Sequence, residues 1–256
     1  MKNHPQFQNT PAQFTMIAIE GNIDSEPFDM GGESWDSDSL PIHLIRLSDY
    51  WLCEYPVTQA VWETVMGTNP SDFKGATRPV ENVSWNDIAD NDNINNFLSK
   101  LNTMTEGVRP AGMVYRLPTE SQWEYAARGG KYWKQYPFDY SGSDKLNEVG
   151  WYIANSHSET KPVGLKTPNL LGLYDMSGNV WEWCEDWFDD DFYEKCKKQG
   201  IVENPCNREQ GSDRVRRGGG YFNDEQNCRP AIRSYNTPSY CDSNIGFRLA
   251  LFSPSV

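Results

Sequence analysis

The sequence predicts an α+β fold that is rich in loops and has little regular secondary structure. Three observations predict it. Two short β-like segments open the chain, and three helix-start signals follow them. From residue 131 onward, Gly, Pro, Asn, Asp and Trp crowd the chain and helical periods become rare. The composition, with 38% hydrophobic and 23% charged residues, is that of a folded chain.

In order, residues 1–13 are polar with two prolines and read as a disordered arm. The β-like segments are FTMIAIEG (14–21) and HLIRLSDYWL (43–52), separated by a Gly- and Asp-rich loop. Thr58 is placed to cap a helix through VTQAVWETVMG, with Val61, Trp62 and Val65 near one face. Ser84 opens a segment carrying Ile88, Ile94, Phe97, Leu98 and Leu101 at helical spacing. Thr119 and Gln122 form a capping box before WEYAARGG, and Gly129 is a natural stop. Beyond Gly130, short strands joined by long ordered loops are expected, held by buried aromatics, a cation or a disulfide. No linker interrupts residues 14–256, which read as one domain.

The formal net charge of −13 argues against nucleic-acid and anionic-lipid partners. No apolar run approaches membrane-spanning length, and a monomer is expected. None of the six cysteines forms a CxxC pair; Cys196 and Cys206 are compatible with a disulfide or with two free thiols. The start carries no apolar signal core, which fits a cytoplasmic chain, or a cell-surface or secreted one whose signal has been removed.

Three long stretches carry a resemblance: YRLPTESQWEYAARGG (115–130), PNLLGLYDMSGNVWEWCEDW (168–187) and the run from Asp213 to Ala250. They resemble the formylglycine-generating-enzyme, or sulfatase-modifying-factor, family. That resemblance implies a C-type-lectin-like fold. It does not fix function, because the family holds oxidases, sulfur-transfer enzymes, accessory domains of surface assemblies and hypervariable binding proteins. The oxidase needs two cysteines that ligate copper(I). The matching positions here are Asn223 and Cys228. Asn223 supplies no thiolate, so no catalytic residue is assigned and copper is not expected. Cys228 reads as a small buried hydrophobe. His4, His43 and His157 lie in no catalytic motif.

The resemblance also implies a structural calcium site, formed by the side chains of Asp175 and Glu182 and the carbonyls of Gly178 and Val180. Carboxylates and carbonyls in a tight turn suit that hard cation. Arg229, Arg233 and Arg248 are expected as framework, paired with carboxylates such as Glu182 or Asp186. Trp181, Trp183 and Trp187 alternate and read as core.

The C-terminal stretch suggests a binding surface. Between framework residues lie Phe222, Asn223, Asp224, Ile232, Ser234, Tyr235, Ser239, Tyr240, Cys241, Asp242 and Ser243. Each is reachable by mutating adenines of an Asn codon. The pattern resembles the variable proteins of diversity-generating retroelements, with a variable region near residues 219–247. Tyr, Ser, Asp and Asn together provide rigid area and adaptable hydrogen bonds, as in antibody paratopes. The expected role is non-catalytic binding of a protein or cell-surface ligand. A copper-dependent oxidase and an accessory structural domain are the alternatives.

Overall fold

Residues 13–32, 35–90 and 92–252 are described by the computed structural model. The arm at residues 1–13, except Gln13, and His4 lie outside the described residues. The chain runs β1 (Met16–Ile19), β2 (Phe28–Met30), β3 (His43–Arg46), β4 (Tyr50–Cys53), α1 (Gln59–Met66), α2 (Trp85–Ala89), α3 (Phe97–Met104), β5 (Val114–Arg116), α4 (Glu120–Ala127) and α5 (Leu146–Val149). It continues with β6 (Trp181–Trp187), α6 (Phe192–Gln199), β7 (Ile201–Glu203), β8 (Arg214–Arg217), β9 (Arg233–Asn236), β10 (Ile245–Gly246) and β11 (Ala250–Phe252).

The strands form three small sheets, ordered β1-β4-β11-β5, β10-β6-β8-β9 and β2-β3-β7. The last strand, β11, lies between β4 and β5 and so joins the C-terminal end to the first half. One apolar cluster holds Trp62, Phe97, Trp183 and Phe247; a second packs Trp123 and Tyr125 with Phe28 and Tyr50. Among the described residues no helix is long and apolar enough to cross a membrane.

The helix ends follow local chemistry. The Thr58 hydroxyl accepts the Val61 amide, and α1 stops at Gly67, which adopts the left-handed conformation (φ 76°). Thr119 and Gln122 close both halves of a capping box on α4. The segment opened by Ser84 departs from expectation, because it is two helices. Asp90 is extended (ψ 113°), and the Asn96 side chain caps α3 anew. Ile94 falls between the two helices and is 80% exposed. Cys196 and Cys206 are both free thiols, so of the two possibilities left open the unbridged one holds.

The helix α4 is buried on every side, including Glu120 and Glu124. Such carboxylates require partners. Arg217 and Arg233 supply them: Arg217 Nη1 donates to Glu120 Oε1 at 2.9 Å and Arg233 Nε to the same oxygen at 2.6 Å. Arg217 Nη2 donates to Glu124. Burial raises the Glu120 pKa, but Arg233 and Arg217 outweigh it and hold the carboxyl below its usual range.

Glu81 is the opposite case. It is fully buried, Oε1 accepts the Phe73 amide at 2.9 Å, and Oε2 has no partner. Burial pushes its carboxyl up to about 7. The folded chain therefore binds this proton more tightly than the unfolded chain, and the site loses stability as pH rises from about 4.5 through 7. Glu81→Gln should match the wild type at pH 5 and be more stable by about 2 kcal/mol at pH 8. Urea denaturation at both pH values checks this; an equal difference at the two pH values would count against it.

Candidate ligand-binding site

The site is set by strand register. Trp183 pairs with Arg216, Trp187 with Arg214, and Arg216 with Ser234. Side chains alternate along a strand, so Trp181, Trp183, Trp187, Arg214, Arg216 and Ser234 share one face of the β10-β6-β8-β9 sheet. Glu182, Val215, Arg217, Arg233 and Tyr235 take the other face, toward α4.

On the first face the Arg216 guanidinium lies over the Trp181 ring, 5.1 Å from its centroid, and Nε donates to Ser234 Oγ at 3.2 Å. Burial lowers its pKa to about 10, against the opposing pull of Tyr240 and Asp242. The loop after β9 folds across this region and is pinned at two points. The Asn82 amide donates to the Asp242 carbonyl and the Asn86 amide to the Pro238 carbonyl, each at 3.0 Å. Ser239, Tyr240 and Cys241 are left exposed at the tip.

A chain of contacts joins the tip to the segment after β8. The Tyr240 hydroxyl donates to Asp242 Oδ2 at 3.0 Å, and Asp242 Oδ1 accepts the Ser243 amide at 2.6 Å. Ser243 Oγ lies 3.1 Å from the Tyr221 hydroxyl. The Tyr221 ring meets Phe222 and Phe73 edge to face, with centroids 5.2 and 5.3 Å away. Ser234, Tyr240 and Asp242 thus lie near Arg216, and contacts through Ser243 and Tyr221 run on from Asp242 to Phe222.

Four of the expected binding positions differ. Ile232 is a core residue, packed with Trp181 and Phe247, and offers no surface. Asn223 is half-buried, and its Oδ1 accepts the Trp181 indole at 2.8 Å and the Gly220 amide at 2.9 Å. That side chain therefore fixes the turn. Tyr235 is exposed but on the opposite face from Ser234, where it stacks on Phe188 with centroids 3.8 Å apart. Asp224 is exposed and starts the 3-10 turn Glu225–Cys228. Sequence alone does not single out Arg216, Trp181 or Tyr221 for the site. The alternation RVRR within one strand is the signal that places Arg216 there.

The cysteines sit apart in character. Cys228 is buried among Tyr140, Leu146, Val149 and Tyr152, and burial, with Glu225 and Asp224 adding to it, pushes its thiol to about 12. Cys241 is exposed.

The calcium ligand set does not fit as expected. The fully buried Glu182 carboxylate accepts Arg248 Nε at 2.6 Å, Arg248 Nη2 at 2.7 Å and the Trp123 indole at 2.7 Å. Its charge is already balanced, so its role is counter-ion to Arg248, as the framework reading expects. Arg233 pairs with Glu120 instead, and Arg229 with Asp139 at 3.0 Å. Asp175 is buried with Oδ2 accepting the Gly164 amide at 2.8 Å and Oδ1 unpartnered; burial raises its carboxyl to about 6. Of the two expected carboxylates, only Asp175 keeps an oxygen without a hydrogen-bond partner. The Gly178 amide donates to the Gly218 carbonyl at 2.7 Å, and Val180 is fully buried. Among the described residues, no three His, Cys, Asp or Glu side chains come together as a metal site.

Comparison with known proteins agrees with this architecture. The model of the sulfatase-modifying factor enzyme 1-like domain matches residues 5–252. The "Chaperone protein LppX" of Paenibacillus barcinonensis is 40% identical over 221 residues, which is 70% of this chain and 74% of that protein. The formylglycine-generating enzyme of Streptomyces coelicolor is 36% identical over 212 residues, 76% of this chain; the match spans 59% of that enzyme's length. The solved structure of Treponema denticola variable protein 1 superimposes with a TM-score of 0.77 at 30% identity, over 93% of this chain and 94% of that one. The fold is the C-type-lectin-like one that the motifs imply, and this chain belongs to the sulfatase-modifying factor enzyme 1-like domain family.

Proposed function

We propose that this chain is a non-catalytic ligand-binding protein, with the surface around Arg216 as its recognition face. One observation carries the reading: where the oxidase resemblance requires two thiolates, the Asn223 side chain is bound to Trp181 and Gly220, and Cys228 is a buried thiol. Cys228 is then a single buried thiol, with no second sulfur at residue 223 to complete the pair that copper(I) needs. The similarity to Treponema denticola variable protein 1 supports the same reading. So does the loop itself, whose tip is exposed while its backbone is anchored to residues 82 and 86. A rigid frame that presents Phe222 and Tyr240 lowers the ordering cost of binding.

The finer reading is a variable protein of a diversity-generating retroelement. Its partner would be a protein or a cell-surface ligand. Sequencing this locus across a cell population tests it. Substitutions should concentrate in the codons for Phe222, Ser234, Ser239, Tyr240, Cys241, Asp242 and Ser243. A neighbouring copy of the codons for Gly219 to Phe247 should differ only at adenines, beside a reverse-transcriptase gene. An invariant locus without that copy defeats the retroelement reading. Formylglycine formation on a sulfatase-derived cysteine peptide, with copper and oxygen present, would defeat the non-catalytic one.

A further inference from the structure

A concavity of about 290 Å³ lies among α2, α3, β5, β6 and β8. That volume falls just below the range of about 300 to 1,000 Å³ typical of small-molecule sites, so the ligand must be small. Leu98 and Leu117 give it an apolar floor. Its walls carry three guanidinium groups, from Arg116, Arg208 and Arg214, and one carboxylate, from Glu185.

The charges do not balance. Arg116 and Arg208 approach Glu185 at only 3.8 and 3.5 Å, and Arg214 Nη1 donates to the Glu185 backbone carbonyl at 2.5 Å. The Asp186 and Glu185 carboxylates act on Arg214 through charge, opposing the effect of its burial. The Arg214 guanidinium lies 3.6 Å from the ring centroids of both Trp85 and Trp187. Arg116 lies 3.4 Å over Phe252, and its Nε and Nη2 are buried with no hydrogen-bond partner. Burial lowers the pKa of both Arg116 and Arg214. Buried N–H donors without acceptors are costly. Three arginines around one glutamate are also contrary to the trend of a chain with net charge −13. Aromatic stacking accounts for Arg214, but not for the unmet donors of Arg116 or the convergence of Arg208 on the same rim.

We propose that this pocket binds a small organic carboxylate with an apolar body. Its carboxylate is met by Arg116 and Arg208, whose planar donors suit that geometry. Its body lies on Leu98 and Leu117, beside the Arg214 guanidinium that fills the gap between the two tryptophans. The pocket opens on the same sheet face as Arg216 but shares no lining residue with the surface that carries Phe222 and Tyr240, so it stands or falls without that surface.

Phenylacetate is the probe. Because Trp85 and Trp187 line the pocket, tryptophan emission should change saturably as phenylacetate is added. Phenylacetamide, which has the same body without the charge, should bind at least about tenfold more weakly, as should sulfate, which has charge without the body. Arg116→Met and Arg208→Ala should each weaken phenylacetate binding about tenfold or more. Arg208 is exposed, so its variant should retain the fold and decides the matter alone if Arg116→Met does not fold. Phe222→Ala combined with Tyr240→Ala should leave phenylacetate binding unchanged. The proposal is overturned by an unsaturable titration, by equal binding of the amide or of sulfate, or by an Arg208→Ala protein that binds as the wild type does.

Discussion

Arg248→Met is expected to lower the unfolding free energy by about 3–5 kcal/mol, a large share of the roughly 5–15 kcal/mol that holds a domain folded. Arg248 and Glu182 are both fully buried. Arg248 also donates to the Cys53 carbonyl at 3.1 Å and the Tyr174 carbonyl at 3.0 Å. One guanidinium therefore ties β6 to the end of β4 and to the turn at Tyr174. Its removal leaves the Glu182 carboxylate with only the Trp123 indole, and an unpaired buried charge costs far more than a lost surface bridge. Urea denaturation should show a lower midpoint with an unchanged slope. The double variant Glu182→Leu with Arg248→Met should recover part of the loss, because neither charge is then stranded. A single variant that costs less than about 1 kcal/mol would remove this pair from its central place in the fold.

Gly178→Ala should cost about 2–4 kcal/mol. Gly178 has φ 97°, and a Cβ there would lie 2.3 Å from the Trp151 carbonyl oxygen. Two costs combine, the left-handed backbone and the forced displacement of a neighbouring chain. Gly172→Ala separates them. Gly172 has φ 85°, with nothing within 4 Å of the added carbon, so only the backbone cost of about 1 kcal/mol remains. The next residue, Asn179, accepts the Tyr221 amide at 2.8 Å, and Tyr221 meets Ser243. Displacing this turn should therefore disturb the proposed recognition face as well as stability. Denaturation midpoints of the two alanine variants provide the comparison; equal losses would show that the Trp151 contact is not limiting.

The local signals were legible because they act over a few residues. Thr58, Ser84 and Thr119 each cap the helix they precede, since a hydroxyl three residues from a free amide needs no tertiary help. The Ser84 segment misled because Ile94 keeps helical spacing with Leu98 and Leu101. Spacing alone does not report that Asp90 is extended and that Asn96 begins a second helix. Similarly, the acidic residues of GLYDMSGNVWEW read as cation ligands until a partner 66 positions away proves to be Arg248.

The sequence by itself determined the family, the loop-rich α+β class, the loss of the thiol at Asn223 and the short-range caps. Each of these depends on residue identity or on neighbours a turn apart. Tertiary structure alone decided which face each C-terminal side chain occupies. The register of β8 against β9 places Ser234 beside Arg216 and turns Tyr235 onto Phe188, and packing takes Ile232 into the core. It also decided that Glu182 neutralises Arg248 and that three arginines meet around Glu185. Those pairings join residues far apart along the chain, and long-range electrostatic balance has no signature in spacing.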